Sequence, residues 1–200
     1  MILTSQKAPN FIASAILPNQ EIIHNFDMFD YTKKKYVILF FWPMDFTFVC
    51  PSELLEFNIL YSEFQKRNVC ILGISIDSVY THQAWLNTPL KNGGIGKMKY
   101  PLISDINRTI QTAYGIEHPN LGIALRASFI IDKNHIIRHQ SINDLPIGRN
   151  IHELIRIIDA LKFYENSGDV CPANWTPGAI GIKASTQGIK KYLTKKYINN

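Results

Sequence analysis

The tightest constraint on the fold is an alternation of two kinds of segment. Tyr36-Val37-Ile38-Leu39-Phe40-Phe41 is too short for a buried helix and rich in branched and aromatic residues, as a buried strand requires. From Ser52 to Asn68, Leu54, Leu55, Phe57, Ile59, Leu60, Tyr61 and Phe64 interleave with Ser, Glu, Asn and Lys, which predicts one amphipathic helix. Val69 to Ile76 is a second run of buried-strand type. Asp77-Ser78 can then cap a helix over about Val79 to Asn87. Strand, helix, strand and helix in succession argue for a βαβ unit with parallel strands.

The flanking regions extend this pattern. Ala8 to Asp30 reads as short strands and turns, with Pro18-Asn19 as a turn signal. After a Gly- and Lys-rich loop from Pro89 to Lys99 come a short strand near Tyr100 to Ile103 and a helix near Asn107 to Tyr114. Phe129-Ile130-Ile131 and His135-Ile136-Ile137 flank Asp132-Lys133-Asn134 as an antiparallel hairpin. Ile151, Leu154, Ile155, Ile158 and Leu161 mark one face of a final helix over about Arg149 to Tyr164. Beyond Asn166 the chain turns to Gly, Pro, Asn and Ser, which predicts an extended arm. Parallel strands, then a hairpin, then a helix is the order of a thioredoxin-like α/β sandwich with a central mixed sheet. The expected organisation is a domain over residues 1–165 and a C-terminal extension over 166–200.

Where the first strand meets its helix, the sequence reads FFWPMDFTFVCPSE, and Cys50 stands at the junction. Pro51 follows where a missing N–H costs nothing and a fixed φ suits the first helical turn. A helix N-terminus carries partial positive charge and favours an anionic sulfur, the nucleophilic form of cysteine. A lone Cys among aromatic residues is also often a small buried hydrophobe, so position alone leaves both readings open. Thr47, three residues before the sulfur, can turn a hydroxyl toward it, and Pro43 can keep water off one side. A Pro-x-x-x-Thr-x-x-Cys array is far more specific than a lone Cys.

This segment resembles the peroxidatic segment of the typical two-cysteine peroxiredoxins, the group that includes bacterial alkyl hydroperoxide reductase peroxidase subunits and thioredoxin peroxidases. The resemblance runs on through SIDSVYTHQAW, GGIGKMKYPLISD, GIALRASFIIDKNHIIRH, NDLPIGRN and GDVCPANWTPG. It implies the thioredoxin-like fold and a thiol-specific peroxidase without a bound cofactor. Such an enzyme reduces hydrogen peroxide and organic hydroperoxides to water and alcohols, in antioxidant defence.

The chemistry sets what else the site must hold. At a thiol pKa of about 8.5 a few per cent is ionised at pH 7, so complete ionisation yields at most ~30-fold in rate. Anything larger must come from donors placed where charge develops on the oxygens. Arg126 opens the apolar run Ala127 to Ile131, where a charge is uncommon without a partner or a job. Spacing alone favours a strand-end Arg reaching solvent. The match of LRASFIID to the family's catalytic arginine block implies that Arg126 is the main donor. The resemblance also gives Glu53 and Arg149 a supporting role in orienting that arginine. Two departures from the common pattern, Ala127 for Gly and Ser52 for Thr, remove no donor.

Oxidation of Cys50 gives a sulfenic acid, which condenses with a second thiol. The resemblance implies that Cys171, in GDVCPANWTPG, resolves it from the other subunit as an intersubunit disulfide. A homodimer follows, with a ring of five dimers common in the family. Thioredoxin or a flavoprotein disulfide reductase would regenerate the pair. Cys70 alternates with Val69 and Ile71 in a buried-strand pattern and reads as inert packing. Gly93-Gly94-Ile95-Gly96 resembles the loop linked in this family to over-oxidation. Its partner there is a C-terminal Tyr-Phe pair, replaced here by Tyr192-Leu193, which predicts a less firmly packed arm.

Other classes fit less well. Lys and Arg exceed Asp and Glu by 21 − 16 = 5, partly in Lys33-Lys34-Lys35, Lys190-Lys191 and Lys195-Lys196, without any nucleic-acid recognition motif. No signal peptide or membrane-spanning run is apparent, and three scattered cysteines do not make a disulfide scaffold, so a cytoplasmic location is expected. Gly96-Lys97 fails as a P-loop, since Met98 stands where Ser or Thr is required. His135 and His139, four apart, fall in a predicted strand and not on a helix face, and HExxH is absent, so no metal site is expected. A holdase-type chaperone activity is the alternative function. A thioredoxin-like disulfide exchanger is disfavoured by the lack of Cys-x-x-Cys.

Overall fold

The computed structural model describes residues 1–198. The chain forms two compact units, Met1–Ile151 and the remainder from His152. In the first unit the strands are β1 (Ile12–Ile16), β2 (Ile22–Asp27), β3 (Tyr36–Phe41), β4 (Val69–Ser75), β5 (Leu102–Ser104), β6 (Arg126–Ile131) and β7 (Ile137–Asn143). They make one mixed sheet in the order β2-β1-β5-β4-β3-β6-β7. The pairs β3–β4 and β4–β5 are parallel and the others antiparallel. The thioredoxin-like sandwich expected from the sequence is therefore present, with its βαβ unit and its hairpin of β6 and β7.

The helices of this unit are α1 (Met28–Tyr31), α2 (Cys50–Ile59), α3 (Tyr61–Lys66), α4 (Val79–Asn87) and α5 (Thr109–Ala113). Ser78 accepts from the Thr81 N–H and starts α4, as its position before the periodic stretch predicts. The single helix expected after Cys50 is broken. The Leu60 N–H closes α2 on the Glu56 carbonyl, and at φ −82°, ψ 4° Leu60 turns the chain into α3. Leu54, Phe57 and Phe64 are buried, whereas Ile59 is 68% exposed, so the apolar residues do not share one stripe. The helix expected near Asn107 to Tyr114 is shorter, because Arg108 sits in the left-handed region at φ 59° and delays it to Thr109.

All six residues of β3 are buried, and it pairs on both edges. Full burial of each large side chain there contributes about 1.5–3 kcal/mol. Phe40 stacks on Phe57 with centroids 4.2 Å apart, and Tyr100 donates to the Leu54 carbonyl at 2.8 Å, which fixes α2 over the sheet. Gly73 on β4 is required by this packing. A Cβ there would lie 2.8 Å from ring atoms of both Phe40 and Trp42. The parallel strands β3 and β4 thus end side by side, and the segment from Trp42 to Val49 leaves from their C-terminal edge, where sites in such sheets form.

The second unit contains α6, which runs from Ile151 to Ser167, then α7 (Thr186–Leu193) and a π-helical turn over Thr194–Ile198. The expected extended arm therefore contains a helix over Thr186–Leu193, capped by Ser185 accepting from the Gly188 N–H. The helix begins at Ile151, so Arg149 precedes it. Among the described residues no helix is long and apolar enough to cross a membrane.

Candidate active site

Cys50 is the first residue of α2 and is fully buried, at the positive end of the helix dipole. Two donors reach it. Thr47 Oγ1 lies 2.8 Å from the sulfur, and Arg126 Nη1 lies 3.3 Å from it. Burial here does not isolate the sulfur, because it is met by a hydroxyl and a guanidinium. Pro43 is buried in the turn that follows β3.

Arg126 begins β6 and is 4% exposed. Its Nη1 also donates to Glu53 Oε2 at 2.8 Å, and its Nε donates to the Leu145 carbonyl at 2.6 Å. Glu53 stands one turn into α2, one helical step from Cys50, and is 3% exposed. It bridges the two arginines, since Arg149 donates to its Oε1 from Nε and from the backbone N–H, each at 3.0 Å. Arg149 also donates to the Ala127 and Phe41 carbonyls and lies over the Phe40 ring. Burial pushes its guanidinium down from the ordinary arginine value, with the Glu53 carboxylate opposing. Two guanidiniums thus face one carboxylate, and one of them also reaches the Cys50 sulfur.

The structure therefore brings together Thr47, Cys50, Glu53, Arg126 and Arg149, with Pro43 four residues before Thr47 in the same segment. Cys171 lies in the second unit. It follows α6 and is half-buried, and its thiol donates back to the Ala160 carbonyl of that helix at 3.5 Å. Nearby, Val170 and Ile182 form a bridge, and Arg156 donates to the carbonyl of the buried Trp175. Burial pushes the Cys171 thiol up, with Arg156 pulling the other way. Cys70 on β4 is a different case, its thiol pushed up to about 11 by burial. At pH 7 such a thiol is almost entirely protonated. Iodoacetamide under native conditions is expected to leave Cys70 unlabelled, and mass spectrometry of labelled peptides checks this.

Sequence reasoning missed the polar anchors of the Trp42–Val49 segment. Asp45 is buried and meets His82, itself fully buried, at 2.7 Å, while Trp42 Nε1 donates to it at 2.9 Å. A local signal existed, since Asp45 is the one carboxylate in an otherwise apolar run. Among the described residues no group of three or more His, Cys, Asp or Glu is placed to hold a metal ion.

Residues 4–140 match the family model described as AhpC/TSA family. The chain belongs to the AhpC/TSA family. Residues 160–195 match a second model, the C-terminal domain of 1-Cys peroxiredoxin. The alkyl hydroperoxide reductase C of Buchnera aphidicola subsp. Acyrthosiphon pisum is 63% identical over 195 residues, covering 98% of this chain and 99% of the relative. The chloroplastic 2-Cys peroxiredoxin BAS1 of Hordeum vulgare is 48% identical, covering 96% and 90% respectively. The reduced 2-Cys peroxiredoxin of Plasmodium vivax superposes with a TM-score of 0.93 at 43% identity, covering 97% of this chain and all of that one.

Proposed function

We propose that this family member is a thiol-specific peroxidase in which Cys50 attacks hydrogen peroxide or an organic hydroperoxide. The thiolate forms a bond to one oxygen while the O–O bond breaks. The second oxygen leaves with the electron pair, takes a proton and departs as water or an alcohol, and Cys50 is left as a sulfenic acid. Arg126 and Thr47 are the donors for the charge that develops, and Pro43 shields the sulfur. Glu53 and Arg149 orient Arg126. The observation that carries this reading is the pair of donors on Cys50 Sγ, at 2.8 Å from Thr47 and 3.3 Å from Arg126.

In the second step the Cys171 thiol condenses with the sulfenic acid, a disulfide forms and water leaves. We assign Cys171 to the partner subunit of a homodimer, itself able to join a ring of dimers. Residues 1–165 then act as the peroxidase domain and 166–200 as the extension carrying the resolving thiol. A dithiol reductant of the cytoplasm, thioredoxin or a flavoprotein disulfide reductase, restores both thiols. Because Cys50 is fully buried and begins a helix, the first turn of α2 must open for the disulfide to form.

The test is a non-reducing gel after one equivalent of hydrogen peroxide. Wild type is expected to run as a disulfide-linked dimer, and Cys171→Ser as a monomer holding a sulfenic acid trappable by dimedone. A linked dimer that persists in Cys171→Ser would overturn the resolving assignment, and peroxidase activity retained by Cys50→Ser would overturn the nucleophile.

A further inference from the structure

The Thr47 hydroxyl carries one proton and has two acceptors at equal range. Met44 O and Cys50 Sγ each lie 2.8 Å from Oγ1. Where this hydroxyl sits therefore depends on where the Met44 carbonyl points. That carbonyl and the Asp45 N–H are the two ends of one planar peptide unit, so fixing either fixes the other. The Asp45 N–H donates to Asp77 Oδ2 at 2.8 Å. The same carboxylate oxygen is held by the Ser75 hydroxyl at 2.7 Å, on the last residue of β4.

The other side of Asp45 is clamped as well. Its carboxylate takes Trp42 Nε1 at 2.9 Å and His82 Nδ1 at 2.7 Å, and His82 Nε2 faces the Ile103 carbonyl at 3.3 Å. The next residue, Phe46, sits at φ 55°, a region uncommon for a bulky side chain, which persists where its flanks over-determine it. Asp77 has no competing task at the start of α4, because Ser78 makes the side-chain cap there.

We propose that Asp77 is a positioning residue for peroxide reduction. By fixing the Met44–Asp45 peptide it aims the Met44 carbonyl, and through that carbonyl it sets the place of Thr47 Oγ1, 2.8 Å from the Cys50 sulfur. The inference rests on the assignment of Cys50 as the nucleophile. The chain of contacts runs from Ser75 through Asp77, the peptide and Thr47 to the sulfur.

A double-mutant cycle tests it, read as the stopped-flow rate constant for oxidation of Cys50 by hydrogen peroxide. Asp77→Ala is expected to slow this step about 10-fold, a loss of the size seen when a positioned catalytic group is displaced. Asp77→Asn keeps an acceptor oxygen and is expected to lose about 3-fold, carrying the same cycle should the alanine variant not fold. In a Thr47→Val background either substitution is expected to change the rate by less than about 2-fold, because residues acting through one another are non-additive. Equal losses in both backgrounds would overturn the proposal, as would an Asp77→Ala rate equal to wild type. Failure of the nucleophile assignment shows separately, as retained activity in Cys50→Ser.

Discussion

Arg126→Ala is expected to slow the oxidation of Cys50 by hydrogen peroxide about 10²- to 10³-fold, the usual effect of removing one fixed donor from a developing oxyanion. The arginine is almost fully buried, and its Nε donation to the Leu145 carbonyl, with Nη1 shared between Glu53 and the sulfur, fixes the guanidinium plane. A donor held this way costs no reorganisation during the reaction. Alanine removes it without leaving Glu53 unpaired, since Arg149 still donates to both carboxylate oxygens. The loss should therefore appear in the rate and not as unfolding. Arg126→Lys is expected to recover only part of it, because an ammonium cannot serve three acceptors from one rigid fork. Stopped-flow oxidation of the reduced variants measures both, and a loss below about threefold for alanine would remove Arg126 from the donor role.

What the sequence shows of this site follows from the range of the forces involved. Tyr36 to Phe41 is legible as a buried strand because every side chain in it is buried, so no alternation is needed. Cys50 and Pro51 are legible as a helix start because capping chemistry is local. Glu53 and Arg149 are not legible in the same way. An acidic residue in a first turn and an arginine before a helix usually face water, and here both are buried because chain segments 96 residues apart meet. The Asp45–His82 contact spans 37 residues and escapes pattern reading for the same reason. The break at Leu60 and the helix from Thr186 to Leu193 were hidden differently. In the first, apolar count outran apolar periodicity. In the second, the Gly- and Pro-rich start of the arm set the reading, while Gln187, Lys190, Lys191 and Leu193 suit a helix that starts behind the Ser185 cap.

The same buried charges make Glu53 the residue whose loss should cost the most stability. Its carboxylate takes Arg126 Nη1 at 2.8 Å, Arg149 Nε at 3.0 Å and Nη2 at 3.2 Å, and the Arg149 N–H at 3.0 Å. Their side chains are 5% and 3% exposed, so water cannot replace these bonds. Glu53→Ala is expected to lower the unfolding free energy by about 3–5 kcal/mol, the usual result of stranding buried charge. Most of that is the penalty of two like charges left facing each other, not the net worth of the pairs. Glu53→Gln should lose less, keeping one acceptor oxygen while turning an amide N–H₂ toward a cation. Adding Arg149→Met to Glu53→Ala should then restore part of the loss, because it removes one stranded charge and fills the volume with an apolar chain. Urea unfolding of the four proteins gives these values. A Glu53→Ala loss under about 1 kcal/mol, or an Arg149→Met addition that only lowers stability further, would mean that the carboxylate is not what offsets the two guanidiniums.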